Sequence, residues 1–197
     1  MADILVLYYS ASGSVKALAR SVARGIDSVE GMHARVRTVP KVAPVTEVAA
    51  PAVPPDGAPY VERRDLAECA GIALGSPTRF GNMAAPMKHF IDGLGAEWAA
   101  GTLVGKPAAV FSSTATMHGG QETTLVTMMV PLLHHGMLIV GIPYTEGELN
   151  STRSGGTPYG ATHVSGSAND RPVTDEESKL AFALGRRLAT VAKKLSA

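Results

Sequence analysis

The feature that most constrains the fold is an apolar run near the start of the chain that ends in small hydroxyl residues. Residues Ile4–Tyr9 are followed directly by Ser10–Val15. An apolar run of this length, closed by small residues, is typical of a buried parallel strand. A helix is predicted next, because apolar residues recur on one stripe at helical spacing, namely Val15, Leu18, Ala19, Val22 and Ala23. The chain is therefore predicted to begin with a strand that runs into an amphipathic helix.

The loop between this strand and helix has the composition of a phosphate-binding site. It contains Ser10, Ser12, Gly13 and Ser14 and no acidic side chain. Small residues let backbone N–H groups approach an anion, hydroxyls add hydrogen bonds, and the helix N-terminus adds roughly half a positive charge. The loop is therefore predicted to hold a phosphate. Taken alone, it is equally consistent with a serine-rich helix cap.

The kind of phosphate follows from the motifs that the loop lacks. The dinucleotide fingerprint G-x-G-x-x-G is absent, since only Gly13 is present here. The segment nearest to a Walker loop, Gly101–Pro107, is too short and has a proline where the hydroxyl should be. A hydroxyl-rich loop suits a terminal phosphate monoester, and flavodoxin-like proteins hold FMN in this way.

Composition excludes several classes of function. The 197 residues carry a net charge of +1, so no attraction to nucleic acid or to a membrane surface is indicated. No apolar run reaches the roughly 18 residues of a membrane-spanning helix, and no signal peptide is recognisable. Cys69 is the single cysteine, which excludes an internal disulfide and indicates a reducing cytoplasm. We therefore expect one cytoplasmic domain, residues 1–197, without membrane insertion.

The rest of the chain alternates short apolar segments with amphipathic ones. Strands are predicted at 32–39, 71–75, 107–111 and 137–140, and helices at about 64–69, 84–94 and 175–195, with a further helix that ends near 133. The strand at 32–39 alternates apolar and basic residues and is predicted to be an edge strand with a solvated face. Thr174 and Glu177 have capping-box spacing. Two long irregular loops are expected, a proline-rich one at 40–59 and a Gly/Ser/Thr-rich one at 144–166.

This alternation predicts an α/β fold with a parallel sheet covered by helices on both faces. In such sheets, ligands bind outside the carboxyl ends of the strands. The loops predicted at that edge, Ser10–Ser14, Ser76–Met83 and Ser113–Gly120, are all poor in charge and rich in small residues. Their coincidence at one edge favours a ligand site over a simple helix cap.

Several motifs together resemble the WrbA-type NAD(P)H:quinone oxidoreductases. They occur in the family's order over nearly the whole chain: Tyr8-Tyr9-Ser10-x-x-Gly13, Gly75–Met83, Trp98, Phe111–Thr114, Gly119–Glu122, His134–Met137 and Gly155–Ala161. The resemblance implies a flavodoxin-like doubly wound sandwich, with a five-stranded parallel sheet in the order 2-1-3-4-5. It also implies one FMN per chain, a homotetramer, and two-electron reduction of quinones by NADH or NADPH.

The resemblance further implies which residues touch the ligands. FMN contacts are expected from Ser10, Ala11, Ser12, Gly13, Ser14, Val15, Pro77, Thr78, Arg79, Phe80, Gly81, Ser113, Thr114, Ala115, Thr116, Met117, His118, Gly119 and His134. Substrate contacts are expected from Ser12, Phe80 and Trp98. No metal site is expected, because His134-His135 lacks the spacing of a zinc pair.

No side chain needs to act as a nucleophile, because a bound flavin carries the chemistry. Arg79 is expected to stabilise negative charge on the reduced flavin or on a cofactor phosphate, with a surface salt bridge as the alternative. His134 is expected to donate a hydrogen bond to flavin or substrate, or else to interact with a helix dipole. Phe80 and Trp98 are expected to flank a flat substrate, with ordinary packing as the alternative. One site shared by NAD(P)H and quinone predicts ping-pong hydride transfer through the bound FMN.

Two departures from the family pattern concern access to the flavin. The family usually has Tyr at the position of Ser12 and His at that of Ser14. The third loop is one residue longer than usual and carries Met117 and His118 in place of glycines. The FMN site is expected to survive both changes, which leave the preference between NADH and NADPH open.

Two other functions are left open at this stage. A one-electron carrier like flavodoxin is acidic around its flavin and usually sandwiches it between aromatic residues. This chain has a net charge of +1 and no aromatic residue in its third loop. An FMN-binding regulatory or interaction protein would share the fold, since a fold does not determine function.

Overall fold

A computed structural model of the chain describes residues 1–42, 54 and 57–196. Its elements in chain order are β1 (Ala2–Tyr8), α1 (Ser14–Asp27), β2 (Met32–Thr38), α2 (Arg63–Glu68), β3 (Gly71–Arg79), β4 (Asn82–Met83), α3 (Ala85–Asp92), α4 (Gly95–Ala99), β5 (Pro107–Thr114), α5 (Gln121–His134), β6 (Leu138–Ile139), α6 (Glu148–Ser151), β7 (Ala161–Val164) and α7 (Asp175–Leu195). Most of the proline-rich loop expected at 40–59 lies outside the described residues. No helix within the described ranges is long and apolar enough to cross a membrane.

The parallel strands lie in the order β2-β1-β3-β5-β6, which confirms the predicted order 2-1-3-4-5. In the register, Val6 of β1 lies between Val36 of β2 and Ala73 of β3. The sheet has seven strands rather than five, because β4 pairs with the end of β3 in antiparallel fashion and β7 pairs with β5.

The far edge of the sheet differs from the expectation. The strand predicted at 137–140 is reduced to β6, which pairs only with the start of β5 and leaves Leu138 48% exposed. The end of β5, Phe111–Thr114, pairs instead with β7. The segment 144–166, expected to be irregular, therefore contains both α6 and a fully buried strand. The expectation was wrong because a four-residue strand is too short to produce a periodic pattern.

Apolar layers cover both faces of the sheet, as predicted. On one face α1 and α7 pack against each other and against the sheet. On the other face α3 and α5 contribute Met87, Leu125 and Met128 to a second layer. The helix predicted at 84–94 corresponds to α3, which ends at Asp92, and the short helix α4 begins beyond its predicted end, at Gly95.

Strand β2 lies at the edge of the sheet, as predicted, but its basic face is exposed at His33 and largely covered at Arg35 and Arg37. Arg35 donates hydrogen bonds to Asp3 and Glu68, and both Arg35 and Arg37 donate to Asp65. Asp65 and Glu68 belong to α2, which therefore lies beside this face, and Asp65 is buried. Although burial acts to raise the pKa of Asp65, the Glu62 amide and the two guanidinium groups outweigh it and lower that pKa. The alternating pattern showed which side chains share a face, whereas only the placement of α2 shows what covers it.

Candidate functional site

The carboxyl ends of β1, β3 and β5 surround a cleft of about 310 Å³. Most of its lining was expected from the sequence: Ser10, Ala11, Ser12, Ser14, Val15, Pro77, Thr78, Arg79, Ser113, Thr114 and Ala115. Among the described residues of this lining, Arg79 is the only charged side chain. The three loops predicted to share one edge therefore meet in a single cleft, with the N-terminus of α1 at its wall.

The first loop bends into α1 at Gly13, which has a φ of 98°. Ser10 caps the first turn of that helix, because its hydroxyl accepts hydrogen bonds from the Gly13 and Lys16 amides at 3.1 and 3.3 Å. The helix-cap reading of the loop therefore applies to Ser10. Ser10, Ser12 and Ser14 all line the cleft beside the helix N-terminus. This part of the loop carries the features of an anion site.

The second loop is a hairpin rather than the irregular segment expected at 76–83. Strand β3 continues to Arg79, the chain turns at Phe80 and Gly81, and β4 returns beside it. The Thr78 hydroxyl accepts a hydrogen bond from the Thr124 hydroxyl of α5 at 2.7 Å. Phe80, at the tip, has a positive φ of 54° and a fully exposed side chain. Phe80 and Gly81 do not belong to the cleft lining in the part of the chain that the structure describes.

The third loop begins later than expected, because β5 continues to Thr114. Gln121, at the start of α5, donates a hydrogen bond to the Met117 carbonyl at 2.9 Å and so holds this loop. Thr116, Met117, His118 and Gly119 are exposed and lie outside the cleft lining, whereas Ala115 contributes to it.

Sequence reasoning missed one wall of the cleft, formed by Ser165 and Asn169 just after β7. The Ser165 amide donates to the Thr114 carbonyl at 2.8 Å, which joins this wall to the third loop. Asn169 has a φ of 55°, a conformation that asparagine tolerates better than most residues. The sequence offered no clear signal for this wall, because Ala161–Val164 is too short to produce a periodic pattern.

Trp98 and His134 lie together but do not line the cleft of their own chain. The Trp98 indole N–H donates to the His134 carbonyl at 2.9 Å. His134 lines a separate groove of about 440 Å³ with residues that include Met83 and Val130. In the same groove, burial lowers the pKa of His135, with Glu97 opposing this effect and His134 adding to it. Trp98 and His134 therefore lie outside the described lining of the cleft, and their contacts with ligand stay a prediction.

The residues of the cleft fit FMN. The hydroxyls and the helix N-terminus suit a phosphate, and no acidic side chain belongs to the described lining. Small residues on the second and third loops leave room for a flat ring. A parallel sheet of this order, with such a cleft at its carboxyl edge, defines a flavodoxin-like protein, a class that binds its ligands at this edge.

The chain belongs to the NADPH-dependent FMN reductase family, whose sequence pattern it matches over residues 2–146. It is 46% identical to an NAD(P)H dehydrogenase (quinone) of Acidithiobacillus ferrooxidans over 99% of both chains. It is 41% identical to a protein of the same name from Solidesulfovibrio magneticus, over 99% of this chain and 100% of the relative.

Solved structures show the same fold at lower identity. A flavodoxin, WrbA-like protein from Agrobacterium tumefaciens superposes with a TM-score of 0.70 at 19% identity, over 98% of this chain and 99% of the other. Oxidised flavodoxin 1 from Bacillus cereus superposes with a TM-score of 0.61 at 17% identity, over 96% and 98% of the two chains. These similarities confirm the predicted flavodoxin-like fold.

Proposed function

We propose that this protein reduces quinones to hydroquinones with NADH or NADPH, using FMN bound in the cleft. The observation that carries the proposal is the convergence of the hydroxyl-rich loops and the α1 N-terminus on one nearly uncharged cleft. The activity named for relatives at 46% and 41% identity over almost the full chain supports it. FMN, when bound, supplies the hydride-transfer chemistry that no side chain here provides.

The chain's own residues bind and orient. Ser12, Ser14 and the first turn of α1 hold the phosphate, and Gly13 shapes the loop that presents them. Pro77–Arg79 and Ser113–Ala115 enclose the ring, with Ser165 and Asn169 as a further wall. The Arg79 guanidinium stabilises negative charge that develops nearby, and it is kept close to the backbone by a 2.7 Å hydrogen bond to the Thr78 carbonyl.

The active unit we propose is a homotetramer in which a neighbouring copy completes the site. Phe80 is fully exposed, Trp98 is 58% exposed and Leu133 is 56% exposed. Apolar side chains on this scale are typical of an interface. Burial in an oligomer would bring Phe80, Trp98 and His134 against the cleft of another chain, as their expected roles require. A cytoplasmic location is part of the same proposal and is supported by the single, buried Cys69.

The decisive experiment combines spectroscopy and steady-state kinetics. After FMN is added and unbound flavin is removed by gel filtration, the purified protein should keep absorbance near 450 nm, roughly where oxidised flavins absorb, and should oxidise NADH or NADPH only when a quinone is present. Because one cleft serves both substrates in turn, double-reciprocal plots should give parallel lines. Intersecting lines would indicate a second site and contradict the shared cleft. Flavin binding without NAD(P)H oxidation would instead favour the carrier or regulatory functions.

A further inference from the structure

A buried histidine lies behind the cleft wall that sequence reasoning missed. His163, in β7, is 1% exposed. Its Nδ1 lies 2.7 Å from Glu177 Oε2, and its Nε2 lies 3.1 Å from the Arg171 carbonyl oxygen. A carbonyl and a carboxylate can only accept hydrogen bonds, so each ring nitrogen must donate. The hydrogen bonds therefore assign His163 two N–H groups and a positive charge.

Glu177 provides the matching negative charge. Besides His163, its carboxylate accepts hydrogen bonds from the Ser154 hydroxyl at 2.7 Å and from the Gly155, Val164 and Thr174 amides at 2.8, 3.0 and 2.9 Å. Burial acts to raise the pKa of Glu177, but the bonds from His163 and these donors outweigh it and lower the pKa to about 2. The carboxylate is thus ionised, and it lies against Nδ1 of the buried His163 ring.

The charged groups on the elements around this pair lie mostly on α1, on the start of α7 and on the loop after β7. Strand β5, which packs beside β7, carries no charged residue. The other elements packed there, α1 and the start of α7, and the following loop carry Lys16, Arg20, Arg24, Asp27, Asp170, Arg171, Asp175, Glu176 and Lys179. Within the described residues, Glu177 is the only one of the charged side chains to form a hydrogen bond with the ring.

The pair contacts a loop that lines the cleft. The Ser165–Arg171 loop starts at Ser165, whose amide donates to the Thr114 carbonyl at 2.8 Å, and the Arg171 amide donates back to the Ser165 carbonyl at 3.0 Å. At the far end of this loop, the Arg171 carbonyl forms a hydrogen bond with the His163 ring. Residues 167–171 are otherwise exposed, and Asn169 holds a left-handed backbone conformation.

We propose that His163 is a positioning residue of the cofactor cleft. Held as an imidazolium by Glu177, it donates to the Arg171 carbonyl and thereby keeps Ser165 and Asn169 in the cleft wall. The inference rests on the proposed function for the identity of the cofactor, whereas the charge of the ring and the order of the loop are properties of the cofactor-free chain.

The first test is nitrogen-detected NMR of the histidine rings in cofactor-free wild-type protein near pH 7, about where an ordinary histidine is mostly neutral. The His163 signals are identified by their loss in His163→Asn. Both ring nitrogens should carry protons. A ring with one unprotonated nitrogen would overturn the proposal. If His163→Asn folds poorly, the His163 signals can still be identified, because His89→Asn and the other single-histidine variants assign the remaining signals.

The second test separates the two bonds of the ring. In His163→Asn the side-chain amide can still reach Glu177 but not Arg171, whereas in His163→Gln it can reach Arg171. We expect His163→Asn to reduce exchange protection of the Asn169 and Arg171 amides roughly tenfold and to weaken FMN binding by a similar factor, about the loss of one charge-assisted hydrogen bond. His163→Gln should keep most of the exchange protection and most of the FMN affinity. His89→Asn, on the exposed face of α3, should change neither the protection nor the affinity.

The outcomes decide between the inference and the proposed function. Equal losses in His163→Asn and His163→Gln, or no loss in His163→Asn, would overturn the positioning role. Wild-type protein that binds no FMN would overturn the proposed function, while amide exchange and the ring signals would still decide whether His163 orders the Ser165–Arg171 loop.

Discussion

Gly13 is the residue on which the proposed phosphate site depends most directly. Its φ of 98° is strained for any residue with a side chain, although an added Cβ would meet no atom within 4 Å. Any replacement therefore adds strain, and a useful test must hold that strain constant. Aspartate and asparagine do so, because they have nearly the same shape and differ in charge.

Gly13→Asp is expected to bind FMN roughly 30-fold more weakly than Gly13→Asn, because a carboxylate would lie close to the phosphate at a cost of about 2 kcal/mol. Fluorescence titration of the flavin measures both affinities, and circular dichroism should show the same fold for both variants. Equal affinities would place the phosphate elsewhere.

Ser12 lines the cleft at the position where the WrbA-type pattern usually has Tyr. Ser12→Tyr is expected to lower the KM for NADH or NADPH about three- to tenfold, since one aromatic contact contributes roughly 0.5–1.5 kcal/mol. Ser12→Phe, measured in the same steady-state assay, separates the ring from the hydroxyl. An unchanged KM in both variants would show that this position does not touch the nicotinamide cofactor.

At the scale of elements, α7 is attached to the sheet through its first turn. Thr174 and Glu177 form the predicted capping box, and Glu177 also accepts the bond from His163 of β7. Glu177→Gln is expected to lower the free energy of unfolding by about 3 kcal/mol, because it removes one member of a buried ion pair. Its exposed neighbour provides the control, since Glu176→Gln should change stability by less than about 0.5 kcal/mol.

The same carboxylate predicts how stability depends on pH. Its pKa in the folded protein is lowered to about 2 from 4.5. The unfolded chain therefore binds the proton more readily, so the stabilisation is complete above about pH 4.5 and is lost as the pH falls toward about 2. Denaturant unfolding across this range should show a steeper decline for wild type than for Glu177→Gln.

Helices α1 and α7 approach each other at glycines. A Cβ added to Gly185 would lie 2.0 Å from the Val22 carbonyl oxygen. Gly185→Ala is expected to destabilise the protein by about 2 kcal/mol, even though alanine favours a helix by roughly 1 kcal/mol. Gly95→Ala in α4, where no atom lies within 4 Å, is the matched control for denaturant unfolding. Equal stability of the two variants would show that the helices can separate at little cost.

For the whole molecule, the exposed apolar face of α5 predicts association. Leu133→Asp is expected to shift sedimentation toward smaller species and to lower quinone reductase activity, because a charge would be buried in the proposed interface. Leu195→Asp is the control, since Leu195 is similarly exposed, at 54% against 56%, but lies at the end of α7. A fully active monomer of the unaltered protein would contradict the completed-site proposal.

Local patterns predicted much of the fold correctly. The spacing of apolar residues located α1 and the bounds of α7, and the capping-box spacing located the start of α7. The pattern failed at β7, because Ala161–Val164 is short and is a strand only through its pairing with β5. For the same reason the sequence did not predict Ser165 and Asn169 as cleft residues. It did predict the cleft residues that come from the first three loops.

The sequence by itself determined the alternation of strands and helices and the hydroxyl-rich character of the loops, because these depend on residues that are neighbours in the chain. Only the tertiary structure decided which distant residues meet. It placed His163 beside Glu177, covered the basic face of β2 with α2, and paired Trp98 with His134 outside the cleft. Such contacts depend on how elements pack across the sheet, and no local spacing encodes that packing.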